Sequence, residues 1–237
     1  FSMKFHKMIN VYKNVYAFIT PSEFLKNKLA LNGFEEKRIH CIPTFTASKT
    51  TIGEPQIGSY GLYFGRVTEE KGVETVIKAY EKLPEYTVKI MGDDTTDEAK
   101  RLKKYVKDHK MKNVEFLGFK SGEELEDIIK GARFTLIPSI WYDNLPNTAL
   151  ESFQYSKPVI ASNIGSLPEL VSDGENGYLF EPSNVEDLIK KIKMLDDDIL
   201  VKKMGQASRK RLENRFAPQS HYEALMKIFN EAVKNRK

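Results

Sequence analysis

From Ser59 onward the sequence alternates short apolar runs with amphipathic stretches, a rhythm that few folds accommodate. GLYFG is followed by VETVIKAYEKL, YTVKIMG by EAKRLKKYVKDH, and NVEFLG by EELEDIIKGA. RFTLIP, the stretch around Glu151, PVIAS, a brief LPELV turn and GYLF continue the series. The short runs, bounded by Gly or Pro, read as strands buried on both faces, and the segments between them carry the three- and four-residue spacing of helices. Repeated strand-then-helix units predict an α/β fold, a Rossmann-like parallel sheet with helices on both faces. Such a sheet holds ligands outside the carboxyl ends of its strands. The loops after GLYFG, YTVKIMG and RFTLIP are therefore where chemistry is expected.

The region before Ser59 departs from this rhythm. VYAFIT reads as a strand, Pro21 and Ser22 lead into a helix, SEFLKNKL, that Gly33 ends, and IHCIP gives another short strand. The Gly-, Pro- and Thr-rich passage TFTASKTTIGEPQIGS has the composition of a linker. The expected division is residues 1–46 as the closing segment of an earlier domain, 47–58 as an interdomain linker, 59–215 as a Rossmann-like ligand-binding domain and 216–237 as a C-terminal helix. Beginning at Phe1, with neither a signal-type apolar core nor an initiating Met, the chain reads as a fragment.

Composition removes several function classes. At 237 residues and 41% hydrophobic content the chain can bury a core, which excludes a disordered protein. Its 37 basic and 33 acidic residues leave +4, a mild balance that suits anionic small molecules or a loosely held membrane surface and does not call for nucleic acid. Cys41 is the only cysteine, so an internal disulfide or a cysteine metal cluster is excluded and a cytoplasmic setting is expected. No apolar run reaches the roughly 18 residues of a membrane span. His6, His40, His109 and His221 lack metal-ligand spacing and read as surface or packing residues. KRLKKYVKDHKMK and KKMGQASRKR read as solvated basic faces, with a peripheral contact at the inner face of a membrane as the alternative. Gly92 to Asp94, GDD, reads as a turn at a strand end rather than a metal loop.

Two constellations carry chemistry. After GLYFG comes GRVTEEKG, in which Gly65, Arg66, Lys71 and Gly72 bring two cations to the carboxyl end of a strand. A departing diphosphate needs such cations, because they gain interaction energy as negative charge builds on its oxygens. The bland alternative is a pair of surface charges beside a turn. The second constellation is Asp143 and Glu151 in WYDNLPNTALES, where Pro146 suits the first turn of a helix and Glu151 follows about one turn on. Carboxylates accept hydrogen bonds from hydroxyls, and the free N–H groups of a helix N-terminus take an anion. A ligand that combines phosphate with sugar hydroxyls satisfies both. Asp143 as a simple helix cap and Glu151 as a solvated residue are the alternatives. Pro138, Trp141 and Tyr142 surround Asp143 with apolar bulk and favour the ligand.

Taken in order, TPSEFLKNKL with IHCIP, GRVTEEKGVETVIKAY, IMGDD, VEFLGF and LIPSIWYDNLPNTALESFQYSKPVIASNIGSLPELVSDGENGYLF resemble the C-terminal, donor-binding half of family-4 retaining glycosyltransferases, whose two-Rossmann architecture is called GT-B. The resemblance covers nearly the whole chain from Val15. It implies transfer of a sugar from a UDP-, GDP- or ADP-sugar to a hydroxyl of a glycan or glycolipid acceptor, with retention of anomeric configuration, in polysaccharide biosynthesis. It further implies that Arg66 and Lys71 neutralise the diphosphate, that Asp143 faces the donor sugar, and that Glu151 holds the ribose hydroxyls. Gly65, Asn144, Leu145, Pro146, Asn147 and Thr148 would line the loops against sugar and phosphates, and Gly92 and Phe119 would lie nearest the base. No metal or other cofactor is expected.

Two positions depart from the family pattern: Asp143 replaces the usual Glu, and Ser166 stands where a second glycine is usual. The resemblance also implies that the acceptor is bound by an N-terminal domain of which residues 1–46 are the end, and to which residues 216–237 return. This fragment is accordingly expected to bind the donor with little or no transfer. A nucleotide-sugar epimerase of the same architecture and a non-catalytic, degenerate transferase module for protein contacts remain open readings.

Overall fold

The computed structural model describes residues 11–46 and 56–235, so most of the expected linker lies outside the described residues. Strands β1 (Phe18–Thr20) and β2 (Ile39–Cys41) pair in parallel around helix α1 (Glu23–Leu31). Ser22 caps α1 by accepting the Leu25 N–H, and Gly33, at φ 79°, lies just past its end. Strands β3 (Tyr60–Phe64), β4 (Thr87–Met91), β5 (Val114–Gly118), β6 (Ala132–Ile137), β7 (Val159–Ser162) and β8 (Gly177–Phe180) form one parallel sheet ordered β5-β4-β3-β6-β7-β8. The expected parallel α/β architecture is therefore the one observed.

Helices α2 (Val73–Glu81), α3 (Asp97–Asp108), α4 (Gly122–Gly131), α5 (Asn147–Gln154), α6 (Leu167–Leu170), α7 (Val185–Lys193) and α8 (Asp198–Arg215) cover the sheet, and α9 (Pro218–Lys234) follows. Alternation along each strand divides the core. Tyr63, Val88, Ile90, Leu136 and Ile160 pack with α2, α3 and α7 on one face. Leu62, Phe64 and Met91, with Ile137, Val159 and Ala161, point to the other. The helices obey the complementary period: α3 buries Ala99, Leu102 and Val106, and its cap Thr96 accepts the Ala99 N–H at 3.0 Å. The opposite face of α3 carries Lys100, Arg101 and Lys104, each paired with a carboxylate within the same helix, as a solvated basic face should be. LPELV, expected as a turn, contains the short helix α6, because Pro168 fits a first helical turn.

Strand order reverses direction between β3 and β6. The loops leaving these two strands consequently splay apart and open a crevice at their carboxyl ends. A buried cation fixes the opposite end of β6. Lys157, 1% exposed, donates to the carbonyls of Gln56 at 2.7 Å, Lys130 at 2.6 Å and Ala132 at 2.7 Å. Burial pushes its ammonium down to about 8, which still leaves it protonated at neutral pH with a hydrogen for each carbonyl.

Candidate functional site

The crevice is built from three loops. The β3 loop turns immediately at Gly65, passes Arg66 and enters a single 3-10 turn, Glu69–Lys71, that Gly72 ends in the left-handed conformation at φ 66°. A Cβ on Gly72 would stand 2.0 Å from the Pro138 carbonyl, so only glycine lets this loop approach the one leaving β6. That approach brings Lys71 to Asp143: the ammonium donates to one carboxylate oxygen, and the buried Ser139 hydroxyl donates to the other. Both partners of the ion pair are largely shielded, with 21% and 15% of their side chains exposed.

Arg66 stands apart from this pair. Its side chain is 72% exposed at the rim, with Glu70 as a distant partner at 4.0 Å. A surface pair of this kind holds weakly. The guanidinium is thus free to swing, while Lys71 is held. Beneath them Tyr63 donates its hydroxyl to the Arg66 carbonyl, and burial pushes that phenol far above its ordinary range, so it stays neutral.

The β6 loop was expected to enter its helix with Pro146 in the first turn. Pro146 is instead the residue before the helix, extended at ψ 128°, because Leu145 takes a left-handed conformation at φ 60° and turns the chain there. Ser166 secures this unusual backbone. Its hydroxyl donates to the Asp143 carbonyl at 2.6 Å and accepts the Leu145 N–H at 2.8 Å. Two residues expected along the ligand stand apart for this reason. Leu145 is buried in the core with its N–H consumed by Ser166, and Asn144 points outward to accept the Ser22 hydroxyl at 3.2 Å. The N–H groups that open α5 belong to Asn147 and Thr148, and both residues line the crevice.

Two adjoining cavities make up the crevice. One, of about 380 Å³, is lined by Lys71, Asp143, Ser139, Pro146, Asn147 and Tyr63 among others. The second, of about 340 Å³, is lined by Gly92, Asp93, Phe119, Lys120, Leu125 and Glu151 among others. Phe64, Gly65, Arg66 and Thr148 border both, so the two are continuous around the β3 turn. Gly92 sits where a Cβ would lie 1.8 Å from the Gly65 carbonyl, which holds the floor flat. Phe119 is 74% exposed at the mouth. Within GDD, Asp93 accepts the Thr95 N–H at 2.9 Å, which makes this segment a turn. Among the described residues no group of three His, Cys, Asp or Glu could hold a metal ion.

Glu151 is the distinctive member of the second cavity. It is half-buried, no described residue donates a hydrogen bond to its carboxylate, and burial raises its pKa above the ordinary carboxylate range. Desolvation without compensation is unfavourable, so this carboxylate gains from a hydroxyl-bearing ligand. The arrangement offers a cation and helix N–H groups for an anion in one chamber and an acceptor for hydroxyls in the other. Sequence reasoning missed Ser139 and Tyr63 altogether. A serine four residues before Asp143, at the end of a strand that feeds the crevice, was the available signal.

Comparison with known proteins places this geometry. The model of the family described as glycosyl transferases group 1 matches residues 48–211. An uncharacterized glycosyltransferase of Methanocaldococcus jannaschii is 30% identical over 73% of this chain and 48% of its own length. A glycogen synthase of Mycobacterium tuberculosis is 28% identical over 81% of this chain and 46% of its own. The chain spans about half the length of the curated relatives it matches. Among solved structures, a glycosyltransferase from Rickettsia africae ESF-5 superposes with a TM-score of 0.86 at 22% identity, covering 95% of this chain and 67% of that one. Anabaena HepE in complex with UDP and glucose gives 0.81 at 19% identity, covering 91% and 63%. These likenesses are of fold, the GT-B fold of glycosyltransferases. With its family model spanning more than half of the residues, the chain belongs to the group 1 glycosyl transferases.

Proposed function

We propose that the crevice binds a nucleoside-diphosphate sugar and that the chain is the donor-binding part of a retaining, family-4-type hexosyltransferase. The observation that carries this reading is the pairing of Glu151, an unpartnered half-buried carboxylate, with an anion-accepting chamber next to it. A nucleotide sugar presents hydroxyls and diphosphate at that separation. The relative HepE was crystallised with UDP-glucose as well as with UDP.

In this reading the base lies against Phe119 and Gly92, and the ribose hydroxyls donate to Glu151. The diphosphate meets Lys71, the mobile Arg66 and the N–H groups of Asn147 and Thr148. As the anomeric carbon leaves the diphosphate, these donors stabilise the charge that builds on the leaving oxygen, and no metal is required. Asp143 orients the sugar and does not attack it. Its two oxygens are engaged by Lys71 and Ser139, which opposes a nucleophilic role and accords with attack by the acceptor hydroxyl from the face the diphosphate leaves.

Residues up to about 46 close a preceding, acceptor-binding domain in this reading, and the last helix returns to it. In support, His221 of α9 contacts the Pro43 carbonyl at 2.7 Å and stacks near Phe45, while Tyr222, Phe229 and Val233 are exposed along α9. The acceptor is a glycan or glycolipid. A cytoplasmic location accords with the lone cysteine. No helix among the described residues is long and apolar enough to cross a membrane.

The test is a thermal-shift panel of UDP, GDP and ADP with their hexose conjugates. A ligand that binds only the folded chain raises its melting temperature by an amount set by concentration over Kd, about 2.7 kcal/mol of stabilisation at a hundredfold excess. One base should stand out; silence with all of them favours a degenerate module. Glu151→Gln should weaken binding of the best nucleotide about three- to ten-fold and leave inorganic pyrophosphate unaffected. Because burial raises the Glu151 pKa, protonation removes the acceptor at a pH above the usual carboxylate range. Nucleotide affinity should fall on acidification in the parent more than in Glu151→Gln, which has no proton to gain. Equal affinities for variant and parent across that range remove Glu151 from the site.

A further inference from the structure

The loop that carries Asp143 is held from two sides. Ser166 grips its backbone from within the domain, as described above. From outside, the start of helix α1 leans on it: the Phe24 ring packs against the Tyr142 ring at 5.0 Å, and the Lys28 ammonium lies 5.0 Å from the Tyr142 ring and 5.4 Å from that of Phe24. Ser22 donates to Asn144 at 3.2 Å on the same side. The helix is itself anchored to the sheet domain. Glu169, in α6, accepts the N–H groups of Glu23 at 2.9 Å and Phe24 at 2.6 Å, and Arg215 approaches the Glu169 carboxylate at 3.8 Å.

This anchorage is built for fixed position. A carboxylate that takes two N–H groups of a helix N-terminus locks that terminus by charge-assisted hydrogen bonds. Aromatic pairing and cation–π contact then carry the constraint to Tyr142, the residue before Asp143. None of Ser22, Phe24, Lys28 or Glu169 borders either cavity. Their effect on a ligand can come only through the loop.

We infer that the start of α1 acts as a positioning element for the sugar-facing loop, with Phe24 and Lys28 clamping Tyr142 so that Asp143 meets Lys71 and Ser139. This inference rests on the donor reading proposed above and extends it across the boundary between residues 11–46 and the sheet domain. It assigns sugar orientation partly to residues that precede the ligand-binding domain in sequence.

Trp141, the only tryptophan, is 66% exposed in the same loop and reports its pose by fluorescence. The experiment compares the parent chain with Phe24→Ala, Lys28→Ala and the conservative Phe24→Tyr. In the ligand-free chain both alanine variants should shift Trp141 emission and lower its anisotropy, and Phe24→Tyr should match the parent. Titration with UDP and UDP-glucose should then show UDP affinity preserved in the alanine variants and the UDP-glucose affinity reduced about three- to ten-fold, with Phe24→Tyr restoring it. Lys28→Ala, an exposed side chain in a capped helix, serves if Phe24→Ala fails to fold. Unchanged Trp141 signals in folded alanine variants overturn the inference whatever the donor. Equal losses for UDP and UDP-glucose also overturn it, because they mark a general structural effect. If neither nucleotide binds the parent, the donor reading itself falls and takes the sugar-positioning role with it.

Discussion

Lys71→Ala is expected to weaken UDP and UDP-glucose binding about ten- to a hundred-fold at neutral pH, the cost of one hydrogen-bonded charge in a shielded site. Two effects add. The ammonium that meets the diphosphate is lost, and Asp143 loses its countercharge. The uncompensated carboxylate then repels the anion that the ammonium attracted. The double variant Lys71→Ala with Asp143→Ala separates them. If repulsion dominates, the double variant binds UDP better than the single one; if direct contact dominates, the two are equal. Arg66→Ala should cost less, because an exposed, mobile guanidinium loses side-chain entropy when it engages the ligand. Isothermal titration of the three variants checks the order, and a Lys71→Ala chain that binds UDP within twofold of the parent removes Lys71 from the diphosphate site.

The second large effect concerns stability. Lys157→Met keeps the length of the side chain and removes its charge, leaving the Gln56, Lys130 and Ala132 carbonyls without the donor they share. A buried acceptor stripped of its partner costs about 1–3 kcal/mol, and partial access of water to Gln56 and Lys130 moderates the sum. A loss of about 3 kcal/mol lowers the melting temperature of a chain this size by about 6–12 °C. Calorimetry on the variant tests it. A melt within about 2 °C of the parent means that the ammonium's desolvation already offsets its hydrogen bonds, a balance known for buried charges. The functional corollary is that Lys157 fixes the start of β6, whose far end launches the loop to Asp143.

Much of the fold was legible in the sequence. Runs such as RFTLIP and PVIAS are apolar on both sides of their alternation, which only a strand covered on two faces requires. Gly65, Arg66 and Lys71 could be placed beside a crevice because the carboxyl ends of parallel strands open there. Legibility ended where residues distant in sequence meet. Nothing local marks Ser166 as the staple of Leu145, or assigns Asn144 to Ser22 and away from the cavities. Pro146 was misplaced by one position because a proline fits both the first helical turn and the extended residue before it, and the left-handed Leu145 decided between them.

The sequence by itself determined the parallel sheet, its helical cover and the two loops that bear charge, because burial periodicity is written residue by residue along the chain. Tertiary structure alone decided that Lys71 and Asp143 neutralise each other, that Glu151 waits without a partner, that Lys157 binds three carbonyls, and that helix α1 braces the loop beside Asp143. Contacts of this kind join segments tens of residues apart. Their existence depends on strand order and loop conformation, which a periodic pattern of apolar residues does not encode.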